Sequence, residues 1–130
     1  MNHKWIAPCL IAMMTIASSV RSQTTPQTIK IDCNNAQTQS VMNICAAQQA
    51  SAADRKLNQV YQKAIAKFKG TPNEKQLVTA QQAWIQFRDA SCTFERDRFK
   101  GGSIAPLMYS SCVTELTQER TKALERYLTE

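Results

Sequence analysis

Residues 92–112 read CTFERDRFKGGSIAPLMYSSC. Gly101-Gly102-Ser103 breaks the run, Ser103 is a good helix N-cap, and Pro106 falls in the first turn of the next helix, where its missing N–H does no harm. The stretch therefore predicts a helix, a tight turn and a second helix. In an antiparallel helix pair, residues equidistant from the turn lie at one level. Cys92 and Cys112 stand ten residues either side of Gly102, so a disulfide between them is predicted.

Upstream, residues 73–100 keep a helical period, with Leu77, Gln81, Trp84, Arg88, Cys92 and Glu95 on one face. Lys69-Gly70-Thr71-Pro72-Asn73 is a stop-turn-start signal, with Gly just past one helix and Pro at the start of the next. Before it, residues 38–69 place Met42, Gln49, Ala53, Leu57, Val60, Ala64 and Phe68 on one side. Downstream, a third run to about Leu128 aligns Tyr109, Cys112, Val113, Leu116, Arg120, Ala123, Leu124 and Tyr127. No strand-like alternation and no repeat interrupts this pattern. The expectation is an all-α fold, a three-helix up-down-up bundle with two disulfides. Residues 23–36 read as an extended leader and 37–130 as the helical domain. Cys33 and Cys45 are the remaining pair, stapling the leader to the first helix. Each closed loop is worth roughly 3 kcal/mol in the chain-entropy model.

Residues 1–22 carry a basic start at Lys4, an apolar run from Ile6 to Ile16 and small residues at Ala17, Ser18 and Ser19. Such a run is too short for a bilayer-spanning helix, which needs roughly 20 residues, and matches a secretory signal. Cleavage after Ser19 or after Ser22 fits, and no stable membrane span is expected afterwards. Ile6-Ala7-Pro8 is a poor lipobox, which leaves Cys9 a bystander. Four cysteines behind a signal indicate an oxidising compartment, periplasmic or secreted.

Loss of Lys4 and Arg21 lowers the formal charge from +6 to +4, with 14 basic and 10 acidic residues left. The only histidine, His3, leaves with the signal. No Ser-His-Asp or Cys-His nucleophile can then be assembled, nor a histidine-containing zinc site, and the cysteines lack CxxC spacing. The acids are scattered singly, without a glycosidase pair. No catalytic residue, metal site or cofactor is expected, and the chain does not read as an enzyme.

Two arginines fall on apolar faces. Asp54 and Arg88 stand seventeen residues either side of Thr71, which predicts a partly buried ion pair, open to bidentate geometry. Trp84 and Arg120 stand eighteen either side of Gly102, which predicts Arg120 near the indole, with Glu95 or Asp89 as further carboxylate partners. An ion-pair layer fixing helix register is the favoured reading; a polar pocket for an anion or carboxylate is the other. Arg96, Asp97, Arg98 and Lys100 form a mixed charged helix end that suits the dipole. Lys56, Lys63, Lys67 and Lys69 form a solvated face. No nucleic-acid partner is expected.

Taken in order, the motifs are Cys33, Met42-x-x-Cys45, Ala53-Asp54-x-x-Leu57-Asn58-x-x-Tyr61, Gln82-x-Trp84-x-x-Phe87-Arg88-Asp89-x-x-Cys92, Gly101-Gly102-Ser103-x-x-Pro106 and Cys112-x-x-x-x-Thr117-x-x-Arg120-x-x-x-Leu124. As a set they resemble the LprI-type lysozyme-inhibitor family over roughly residues 33–128. The resemblance implies a small cysteine-bridged envelope domain and a protein partner, with lysozyme-type muramidases the candidate target. It marks Asp54, Leu57, Asn58, Tyr61, Trp84, Arg88, Asp89, Gly102 and Arg120 as motif or structural positions. Glu115, Glu119 and Glu125 are the clustered acids available to a basic partner. The alternative function is a structural or adaptor module binding an anionic envelope component or another envelope protein.

Overall fold

The computed structural model describes residues 31–129; the signal, its cleavage positions, Cys9 and the first part of the leader lie outside them. Helix α1 spans Gln39–Phe68, α2 Pro72–Asp97 and α3 Ala105–Thr129, and no strand occurs among the described residues. The chain is all-α, three helices running up, down and up, with disulfides Cys33–Cys45 and Cys92–Cys112.

Local chemistry sets the helix ends. Thr38 Oγ1 accepts from the Val41 N–H at 3.2 Å, one of the donors that a helix N-terminus leaves free. Gly70, at φ +77°, turns the chain out of α1 in the left-handed conformation that glycine tolerates best, and Pro72 opens α2. Ahead of α1, Asp32 caps a short 3-10 turn at Cys33–Asn35, so this end of the leader is coiled rather than extended.

The second turn departs from the sequence reading. Helix α2 stops at Asp97, not at Lys100, and single turns come after it, with the Phe99 N–H on the Arg96 carbonyl at 3.0 Å and the Lys100 N–H on the Asp97 carbonyl at 3.2 Å. Gly101, not Gly102, holds the positive φ, at +86°. Ser103 does not start α3. The Ala105 N–H bonds to the Gly102 carbonyl at 3.2 Å, and the Ser103 carbonyl accepts from Asn43 Nδ2 of α1 at 2.9 Å. The turn is thereby carried to Ile104, and α3 begins one residue before Pro106.

Helices α1 and α3 run parallel, one beside the other. Asn43 meets Ser103 at one end, and Lys67 Nζ meets the Tyr127 carbonyl at 2.8 Å at the other, each pair sixty residues apart. The constant offset means that the two helices stay in step along their length. Helix α2 packs chiefly on α3 and touches α1 little. Helix α3 is therefore covered on two sides, which a single apolar stripe does not describe. Its most buried residues are Ser110, Val113, Thr117, Thr121 and Leu124, a line shifted from the predicted one toward small polar side chains. The Thr121 hydroxyl donates to the Thr117 carbonyl at 2.8 Å, so burying it leaves no donor unpaired.

Leu57, Val60, Ala64, Leu77 and Leu124 form the core, with Tyr61, Ile65, Phe68, Trp84, Tyr127 and Leu128 around it. This cluster occupies the half of the bundle nearest the α1–α2 turn. The two disulfides, with Cα–Cα separations of 5.6 and 5.4 Å, fasten the other half, where apolar burial is thinner. None of the described helices is long and apolar enough to cross a membrane.

Candidate functional site

All three helices converge on Arg88. Its Nη1 donates to Asp54 Oδ1 of α1 at 2.7 Å and to Thr117 Oγ1 of α3 at 3.3 Å. Nη2 and Nε both reach Asp89 Oδ1, at 2.9 and 3.0 Å. The guanidinium carbon lies 5.2 Å from the centroid of the Trp84 ring, one turn back along α2. Asp54 is engaged through one oxygen, not bidentately, because the second guanidinium edge is turned to Asp89. The Arg88 side chain is 13% exposed and that of Asp54 43%. The arginine is thus desolvated with its charge matched, while the carboxylate keeps part of its water.

Arg120 departs from expectation. Its Nε donates to Gln81 Oε1 at 2.9 Å, and neither the indole, Glu95 nor Asp89 is its partner. Arg88 already occupies the Trp84 ring and holds Asp89, and like charges exclude a second guanidinium there. Glu95 pairs instead with Arg98 at 3.0 Å. Arg120 Nη2 is buried and has no hydrogen-bond partner.

The other motif residues divide between core and surface. Leu57 is in the core and Tyr61 packs against it, whereas Asn58 is exposed on the outer side of α1. Gly102 sits under the second turn, where a Cβ would come 3.2 Å from the Phe99 carbonyl oxygen. Among the described residues no three His, Cys, Asp or Glu side chains gather as a metal site.

One broad concavity among the described residues is a feature that sequence reasoning missed. A groove of about 730 Å³ runs between α2 and α3, on the side that α1 leaves uncovered. Phe87 and Phe94, Met108 and Leu116 line it, Glu95 and Glu115 stand in its walls, and Cys112 brings the second disulfide to it. Phe87 is 58% exposed and Phe94 64%. They lie seven residues apart, on one line of α2, just off the face that packs inward. The available signal was two large aromatics excluded from the inward stripe, at a spacing that aligns them. The three acids expected to cluster are split. Glu115 belongs to this groove, whereas Glu125 pairs with Lys56 at 3.3 Å across the α1–α3 seam.

Charges at the end of α2 satisfy each other. Arg96 Nε donates to Asp97 Oδ1 at 2.8 Å; this hydrogen bond, aided by the Arg96 charge, holds the Asp97 carboxyl below its usual range. The Arg96 guanidinium also stands 5.9 Å from the Tyr109 ring centroid, tying the end of α2 to α3.

A DUF1311 family protein of Pseudomonas putida KT2440, known from a crystal structure, superposes with a TM-score of 0.62 at 25% identity, covering 72% of this chain and 96% of its own. An uncharacterised protein of Rhizobium meliloti (strain 1021) is 36% identical over 109 residues, 75% of this chain and 78% of that protein. The family model described as lysozyme inhibitor LprI matches residues 32–124. That match takes in α1 and α2 whole, α3 as far as Leu124 and all four bridged cysteines, and on it the chain belongs to the LprI lysozyme-inhibitor family.

Proposed function

We propose that the protein is a periplasmic or secreted binding protein, not an enzyme, that docks on lysozyme-type muramidases and slows them. The observation that carries this reading is the α2–α3 groove, an open aromatic-lined surface on a hairpin locked by Cys92–Cys112. A rigid groove loses little conformational freedom on binding, and exposed aromatics at its edge are the residue types that anchor protein interfaces. Family membership supplies the target class, and the disulfides suit an extracytoplasmic compartment.

The net charge constrains how such docking works. Many lysozymes are strongly basic, and a mature chain at +4 is not steered toward them at long range. Attraction has to be local. Glu115 in the groove wall supplies it, beside Glu95, which Arg98 neutralises in part. Affinity then rests on burial of Phe87 and Phe94, and binding should depend only weakly on salt.

The test is lysis of a cell-wall suspension by muramidases of several classes with increasing oxidised protein. Slowed lysis at stoichiometric ratios, lost in Phe87→Ser/Phe94→Ser while the helical signal is kept, supports the reading. Unchanged lysis with every class at excess protein defeats it. Unimpaired inhibition by the double variant removes the groove from it.

A further inference from the structure

We infer that the outer face of α2 is an interaction surface for a second copy of this chain, the two α2 helices packing antiparallel about a two-fold axis level with Ile85. Phe87 and Phe94 stand on that face in one row with Gln76, Ala80, Ala83 and Ala90, at alternating steps of four and three residues. That alternation is the period of a helix–helix seam. All six are exposed. The row is distinct from the inward one, in which Leu77, Gln81 and Cys92 are buried. Helix α2 thus carries two seams, and the fold uses one.

The row is complementary to itself. A two-fold axis makes the same patch meet on both copies. Phe87 and Ala83 stand two residues either side of Ile85, Ala90 and Ala80 five, and Phe94 and Gln76 nine. Each phenylalanine therefore falls opposite a smaller side chain of the other copy. The room for them is present: a hollow of about 610 Å³ is lined by Gln76, Thr79, Ala80 and Ala83. A parallel pair, by contrast, stacks Phe87 on Phe87 and leaves alanine against alanine, which packs poorly.

Charge selects the same direction. Asp97, twelve residues past Ile85, comes level with Asn73 in the first turn of the other α2. That helix end carries partial positive charge, Thr71 gives it no side-chain cap, and Lys75 stands one turn on. The parallel arrangement sets Asp97 against Asp97. The row that flanks the seam, Thr79, Gln86 and Thr93, is uncharged, so two copies of net positive charge meet without like charges along it. The seam and its flank supply about half the 20–30 residues a side of a standard interface. Pairing is accordingly reversible, with a Kd on the order of 10 µM. It covers Phe87 and Phe94, so the free groove belongs to the monomer.

The experiment is sedimentation velocity of the disulfide-bonded protein across the micromolar range. The mass should rise from one copy to two. Ala83→Glu sets a carboxylate under Phe87 of the second copy and should weaken pairing at least ten-fold. The site is exposed and Glu is a good helix former, so its thermal melt should be kept. Spin labels placed singly by Gln86→Cys and Lys75→Cys read the direction. An antiparallel pair brings the labels at 86 together and holds those at 75 about 30 Å apart along the axis. A single copy at every concentration, pairing unchanged in Ala83→Glu, or any label pattern other than near at 86 and far at 75 overturns the inference. The sedimentation and label readouts do not depend on Ala83→Glu folding. Sedimentation reads pairing alone, so failure of muramidase inhibition leaves it standing. Ala83 lies outside the α2–α3 groove, so failure of pairing leaves the groove standing.

Discussion

Arg88 of α2 is bonded to Asp54 of α1 at 2.7 Å, across a pair of helices that otherwise barely touch. The same guanidinium reaches Thr117 of α3, so one side chain links all three helices at the border of the core. Because Asp89 also holds Arg88, removing Asp54 does not strand the charge. Asp54→Ala is expected to cost about 1–2 kcal/mol, less than the 3–5 kcal/mol typical of a buried pair cut on one side. Adding Arg88→Met should return part of that loss. Urea unfolding of both variants checks it, and a double variant less stable than Asp54→Ala would count against a charge-matching role.

The disulfides differ in access. Cys33 is exposed, whereas Cys92 is fully buried and Cys112 partly so. Thiol attack requires reach to a sulfur, so Cys33–Cys45 is expected to open first under mild reductant, read by alkylation and mass spectrometry. Replacing either pair by alanines should lower stability by about 3 kcal/mol. The Cys92–Cys112 variant should also loosen the groove that Cys112 borders.

Gly101 and Gly102 are adjacent but carry different constraints. Gly101→Ala forces an L side chain into a φ of +86°, at a cost of about 1–2 kcal/mol. Gly102→Ala strains only through the 3.2 Å approach of its Cβ to the Phe99 carbonyl oxygen. Gly101→Ala should therefore melt lower than Gly102→Ala in a thermal scan.

Asp97 should titrate below the ordinary carboxyl value of about 3.9, because Arg96 donates to its ionised form. A folded-state pKa that is lowered adds stability above the unfolded value, and this is lost as pH falls through the folded one. The pair is solvent-exposed, so the effect on stability is small. Carboxyl-carbon chemical shifts against pH check the direction, and Arg96→Gln should return Asp97 toward the ordinary value.

Much of the fold was legible because helices leave periodic marks and turns leave compositional ones. Residues 92–112 alone specify a hairpin, and the symmetric placing of Cys92 and Cys112 about Gly102 specifies its bridge. Level counting also brings Asp54 to Arg88. It fails for Arg120, because counting places backbone levels, whereas a long side chain goes where charge allows. With Arg88 over Trp84, the other guanidinium turns to Gln81. Phe87 and Phe94 escape a periodicity argument because it rewards residues that point inward, and a docking surface is built from those that do not.

The amino-acid sequence by itself determined the helices, their order and the cysteine pairing, since these arise from local propensity, turn chemistry and distance along the chain. Only the tertiary structure decided which helix is central, where the groove opens and which arginine is left without an acid. Those outcomes depend on α3 being covered from two sides while α2 and α1 stay largely apart, a relation between segments that no single helix encodes.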